Sequence, residues 1–111
     1  MQLQDKPFRQ IKSGEKDIEL RIFDEKRKKL NIGDDIVFRY VNTRETATCQ
    51  IIDLVHRDTF SEIIDNGTKK VRSGFKENDD IDSLMSMYYS RDETTKPGVV
   101  GIVLKVMSQN K

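Results

Sequence analysis

One stretch constrains the fold more than any other: residues 99–107, Val-Val-Gly-Ile-Val-Leu-Lys-Val-Met. The run is nearly continuous in apolar, β-branched side chains, with Lys105 its single charge. Such a run suits a strand covered on both faces, because a half-exposed strand would alternate with polar residues. It therefore predicts a central strand. Gly101 inside it predicts a bend or a close approach by another segment.

The rest of the chain offers partners for that strand. Residues 17–22 alternate strictly, with Ile18, Leu20 and Ile22 on one face and Asp17, Glu19 and Arg21 on the other. That is the pattern of a half-buried strand. Residues 35–41 and 46–55 read as two long strands joined by the turn Asn42-Thr43-Arg44-Glu45, hence an antiparallel hairpin. The apolar phase slips at Ile51-Ile52, which predicts a bulge. Between these strands lie short helical patterns. One spans about 6–13, with Asp5 as cap, Pro7 in the first turn, Phe8 and Ile11 on one face and Gly14 at its end. A second covers about 24–29, and the turn Asn31-Ile32-Gly33-Asp34 follows it. A third runs through Phe60, Ile63 and Ile64 after a Thr59 or Ser61 cap and ends near Asn66-Gly67. Residues 67–78 read as a polar loop. Asp80 then precedes Ile81, Leu84, Met85 and Tyr88, a helical apolar stripe, with a break at Lys96-Pro97-Gly98. Long bending strands with short helices predict an α+β domain: a small closed or nearly closed β-barrel, mostly antiparallel, with helices packed around it.

With 111 residues the chain is expected to be a single domain over 1–111. Lys and Arg number 20 against 19 Asp and Glu, so the net charge of +1 excludes a polybasic wrapper or an acidic tail. The run Lys26-Arg27-Lys28-Lys29 follows Asp24-Glu25, as the helix dipole favours, and reads as a solvated helical face. Cys49 is the one cysteine and shares the apolar phase of Ala47 and Ile51, so a buried, inert thiol is expected. His56 is the one histidine and reads as a surface residue. No metal site and no cofactor are expected, since glycine-rich phosphate loops, HExxH and GxSxG patterns are missing. No apolar run approaches a membrane span and the N-terminus has no apolar signal core, which predicts a cytoplasmic protein without membrane contact.

The polar residues of chemical interest converge on Gly14-Glu15-Lys16-Asp17-Ile18-Glu19-Leu20-Arg21. The pleat sets Glu19 and Arg21 on one face, with Lys16 just before the strand and a glycine turn beside them. Pattern alone is satisfied by a salt-bridged surface strand. The spacing Gly14-x-Lys16-x-x-Glu19-x-Arg21, after a short helix and before Ile32-Gly33-Asp34, resembles the signature of the ASCH domain family. Phe8-x-x-Ile11-Lys12-Ser13-Gly14, Tyr88-Tyr89-Ser90 and Gly98-Val99-Val100-Gly101-Ile102 fit small bacterial single-domain members, so the resemblance covers nearly the whole chain.

That resemblance implies a PUA-like β-barrel, a fold associated with RNA. Some ASCH proteins are linked to RNA binding, some to ribonuclease activity and one bacterial branch to hydrolysis of N4-acetylcytidine. The implied function is binding of single-stranded RNA or a modified nucleoside in a cleft formed by Gly14, Lys16, Glu19, Arg21 and Tyr89. Lys16 and Arg21 would donate to phosphate or carbonyl oxygens, Glu19 would accept from an exocyclic amine, and Tyr89 would stack on a base. Tyr88, on the apolar stripe, reads as core. The alternatives are a hydrolase and a protein-interaction module. For a hydrolase, Lys16, Glu19 and Glu77 are the catalytic candidates. The position of the amidohydrolase branch's threonine nucleophile holds Glu19, a departure from that branch's pattern. Because Lys16 and Glu19 lie beside the turn and off the apolar face, replacing either with alanine is expected to leave the fold intact.

Overall fold

A computed structural model describes residues 1–3, 5–89 and 97–110; side chains are described for all of these except Gln2, Asp5 and residues 108–110. Ser90 and Lys96, and the Asp5 side chain named above as a cap, lie outside the described part. Five strands form one sheet: β1 (Gln2–Leu3), β2 (Ile18–Ile22), β3 (Asp35–Tyr40), β4 (Thr46–Arg57) and β5 (Val99–Asn110). Their order is β1-β3-β4-β5-β2, with β1 parallel to β3 and all other pairs antiparallel. The sheet curls into a half-barrel, and helices cover it: α1 (Asp5–Ser13), α2 (Phe60–Ile63), α3 (Gly67–Arg72) and α4 (Ile81–Met85).

The apolar run near the C-terminus does lie between two neighbours, β4 and β2, and both of its faces are covered over residues 99–104, whereas Lys105 and Met107 at its end are exposed. Val100, Ile102 and Leu104 point inward with Phe8 and Ile11 of α1, Ile36 and Phe38 of β3, and Ala47, Cys49 and Ile51 of β4. Val99 points the other way, into a second cluster with Ile18, Leu20, Phe60, Ile63, Ile81 and Met85. Gly101 marks a close approach: a Cβ there would lie 2.8 Å from Ile63 Cγ2, so α2 sits down on the strand at the one residue without a side chain.

The bulge falls where the phase slips. Ile51 pairs with Leu104 and Asp53 with Val103, which leaves Ile52 as the extra residue, exposed to solvent. Before it the odd residues Ala47, Cys49 and Ile51 face the interior; after it Leu54 does. One inserted residue thus lets a 12-residue strand keep an apolar face on the same core while the sheet bends.

Two local readings change. Residues 67–78 are not all loop: Asn66 accepts from Lys69 N at 2.8 Å and caps α3, a helix with only Val71 as a large apolar residue and therefore no amphipathic signal. The basic run is a single 3₁₀ turn over Arg27–Lys29, not a helix over 24–29, with Asp24 accepting from Arg27 N at 3.0 Å.

Cys49 is fully buried, and burial pushes its thiol up to about 11. A bulky maleimide is expected to label it only after unfolding, since the thiolate is the reactive form. Folding raises this pKa from an ordinary 9.0, so the stability it contributes is complete below pH 9 and is lost as pH rises through about 11. The stability difference between wild type and Cys49→Ala should fall by roughly 2–3 kcal/mol across that window in denaturant titrations.

Candidate functional site

Gly14 ends α1 with φ +84°, a conformation glycine adopts freely, and its N–H bonds to Ile11 O at 3.1 Å. The chain then turns into β2 under tight control. Lys16 N donates to Gln10 O, and Asp17 N donates to Arg72 O, both at 2.9 Å. The Asp17 carboxylate takes two bonds from the Arg72 guanidinium, at 2.8 and 3.2 Å. That fork ties β2 to α3, an anchor invisible in sequence because the partners are 55 residues apart.

Along β2 the register places Glu19 opposite Ile102 and Arg21 opposite Val100. Both partners belong to the inner cluster, so Glu19 points into the half-barrel and not onto an outer surface. It is 5% exposed and Lys16 is 8% exposed. Glu19 Oε1 accepts from Lys16 Nζ at 3.0 Å and Oε2 from Arg21 Nη2 at 3.3 Å. A carboxylate in an apolar interior is tolerated only when paired, and here both oxygens are used. This burial reverses the expectation that alanine at Lys16 or Glu19 spares the fold.

Arg21 is the member of the trio that reaches out. It lines a cavity of about 490 Å³ with Met1, Lys26, Arg27, Val37 and Arg39. The cavity has a topological origin. β1 and β2 are the two edges of the sheet, and the curl brings them to one opening, with Met1 just before β1, Arg21 of β2, and Val37 and Arg39 of β3 on its wall. The Met1 amine donates to Val37 O at 2.6 Å. Its pKa is lowered by burial first, then by the positive charges of Arg21, Lys26, Arg27 and Arg39. Arg27 Nη1 lies 3.1 Å from Asp24 Oδ2, which holds its guanidinium at the wall.

The other predicted residues lie apart from this seam. Tyr89 packs against Phe60, ring centroids 6.1 Å apart, in the cluster on the opposite face of the sheet. Tyr88 is the exposed tyrosine, at 74%. The order inverts because α4 stops at Met85 and the last residues form turns, so the helical stripe does not continue to 88. Glu77 is exposed, and its Cγ lies 3.3 Å from where a Cβ on Gly67 would sit. His56 is exposed, stacks on Phe23 at 4.1 Å, and its Nε2 lies 3.2 Å from Pro97 O. A second cavity of about 460 Å³ lies beside α1, against Phe8, Tyr40 and the Lys12–Glu45 ion pair. Sequence reasoning missed Lys26, Arg27 and Arg39 as site residues. Arg39 gave a weak signal, a charge in the solvent phase of β3, but nothing local says that it faces Arg21.

Among the described residues no cluster of three or more His, Cys, Asp or Glu is placed to hold a metal, and no helix is long and apolar enough to cross a membrane. No curated protein matches the sequence. Solved structures similar over nearly their whole length include the two that follow. The crystal structure of the hypothetical protein PH0355 is 26% identical with a TM-score of 0.78, covering 96% of each chain. The solution structure of protein PF0455 from Pyrococcus furiosus is 23% identical with a TM-score of 0.68, covering 97% of this chain and 96% of that one, a likeness of fold. The ASCH domain family matches residues 1–105. With the match spanning both the glycine-turn motif and the half-barrel that buries it, the chain belongs to the ASCH domain family, whose PUA-like domains are generally RNA-binding.

Proposed function

We propose that this protein binds single-stranded RNA, or a modified nucleoside derived from it, at the seam of the half-barrel. One observation carries the reading: the buried Lys16–Glu19 pair ends in the half-buried Arg21 on a cationic cavity of about 490 Å³. Guanidinium forks suit phosphate and base carbonyl oxygens. Lys16 and Glu19 then position Arg21 and make no ligand contact of their own. The hydrolase alternative needs one of those two to touch substrate, and their burial and their 3.0 Å pairing favour binding over turnover. A concave site, in place of a flat charged face, favours a ligand over a protein partner.

The test is titration of fluorescein-labelled single-stranded RNA and of N4-acetylcytidine, with product formation followed in parallel. Saturable RNA binding that weakens with salt is expected. Arg21→Ala should lose roughly 1.5–3 kcal/mol, ten- to a hundredfold in affinity, with thermal unfolding as the control for folding. No saturable binding, or a folded Arg21→Ala protein that binds like wild type, would sink the reading. Turnover of either probe would move it to the hydrolase alternative.

A further inference from the structure

The seam cavity holds more positive charge than the protein itself matches. Arg21, Lys26, Arg27 and Arg39 line it. Glu19 is paired with Arg21 and Asp24 with Arg27. Lys26 and Arg39 form no ion pair among the described residues. Lys26 and Arg39 are therefore left uncompensated around one opening, and Arg21 has only a share of the Glu19 charge, which Lys16 also takes, so the excess is at least two positive charges. Arg27 Nε adds an unmet donor: it is buried and has no hydrogen-bond partner among the described residues. A surface salt-bridge network would distribute acids among these bases, as Lys28–Glu25 does just outside the cavity and Lys69–Asp65 does elsewhere on the molecule.

An anion is the missing partner, and its charge can be specified. A terminal phosphomonoester carries close to two negative charges at neutral pH, whereas an internal phosphodiester carries one. Three guanidinium groups offer planar pairs of donors to its oxygens, and Lys26 adds a point charge. The cavity volume of about 490 Å³ exceeds what a phosphate alone needs, and half-exposed Val37 supplies an apolar wall for what is attached to it. We propose that the seam is a phosphomonoester site, which takes the terminal phosphate of a nucleotide or of an RNA strand between Arg21, Lys26, Arg27 and Arg39. This rests on the RNA- or nucleoside-binding reading and narrows it to ligands with a phosphorylated end.

The experiment compares pairs of probes at one salt concentration. Cytidine is set against cytidine 5′-monophosphate, and an eight-nucleotide single-stranded RNA with a 5′-hydroxyl against the same strand with a 5′-phosphate and with a 3′-phosphate. The terminal phosphate is expected to tighten binding at least tenfold. Lys26→Ala and Arg39→Ala should each remove most of that gain, while Lys28→Ala, an equal charge change outside the cavity, should not. Lys26 and Arg39 are exposed, so folding is retained, with thermal unfolding as check. Strands that bind equally with and without the phosphate would overturn the phosphomonoester site and leave the RNA reading standing. Binding of the mononucleotide alone would keep the site and overturn the RNA reading. Binding of none of the probes would overturn both. A Lys28→Ala loss equal to that of Arg39→Ala would show diffuse attraction and overturn the site.

Discussion

Glu19→Ala is expected to destabilise the fold by about 3–5 kcal/mol, which for a domain of this size lowers the melting temperature by roughly 12–20 °C. The carboxylate is 5% exposed and has a cation on each oxygen. Its removal leaves the Lys16 ammonium buried with no counter-charge and Arg21 close by, and nothing refills the desolvated space. Lys16→Met should cost less, about 1–3 kcal/mol, because Glu19 keeps Arg21 and the methionine preserves the packed stem. Glu19→Gln retains an acceptor for Lys16 and should fall between wild type and alanine. Denaturant unfolding of the three variants checks the order. Equal losses for Glu19→Ala and Lys16→Met would mean that the pair, not the uncompensated charge, sets the cost.

Gly98→Ala is the other substitution with a large expected effect, roughly 2–5 kcal/mol. Gly98 has φ +76°, which disfavours any side chain, and its Cβ would lie 2.6 Å from His56 Nε2 and 2.8 Å from Arg57 O. The imidazole can swing away; the carbonyl cannot, because Arg57 is paired with Val99 in the β4–β5 ladder. Adding His56→Ala should therefore recover little of the loss. The damage would reach the seam, since Gly98 O accepts from Phe23 N at 3.0 Å and so fixes the exit of β2 toward Lys26 and Arg27. A full recovery in the double variant would show that the histidine contact was the whole effect.

Much of the architecture was readable because it rests on short-range periodicity. The two-faced run that begins at Val99, the hairpin and the slip at Ile51-Ile52 each encode which side of a strand is buried, and the structure uses them as read; the alternation at 17–22 is a strand as read, but Glu19 on its polar face is buried as well. The family signature was readable for the same reason: Gly14, Lys16, Glu19 and Arg21 are close in sequence. Where a pattern was short or polar, reading failed. α3 has almost no apolar face to detect, and α4 ends before Tyr88, so extrapolating its stripe exchanged the roles of Tyr88 and Tyr89.

The sequence alone determined that Glu19 and Arg21 share a face of β2, because a strand pleat has period two. Only the tertiary structure decided which face that is. Alternation puts Ile18 and Leu20 against a core and leaves Glu19 to solvent, yet β2 is covered on both sides, and Glu19 enters the inner cluster with Lys16 and Arg21 as its partners. Likewise Arg21 and Arg39 belong to strands at opposite sides of the sheet order, and no local pattern reports that they meet. The curl of the sheet brings them together, and the seam it leaves open gathers charges that the sequence scatters over 19 positions, from Arg21 to Arg39.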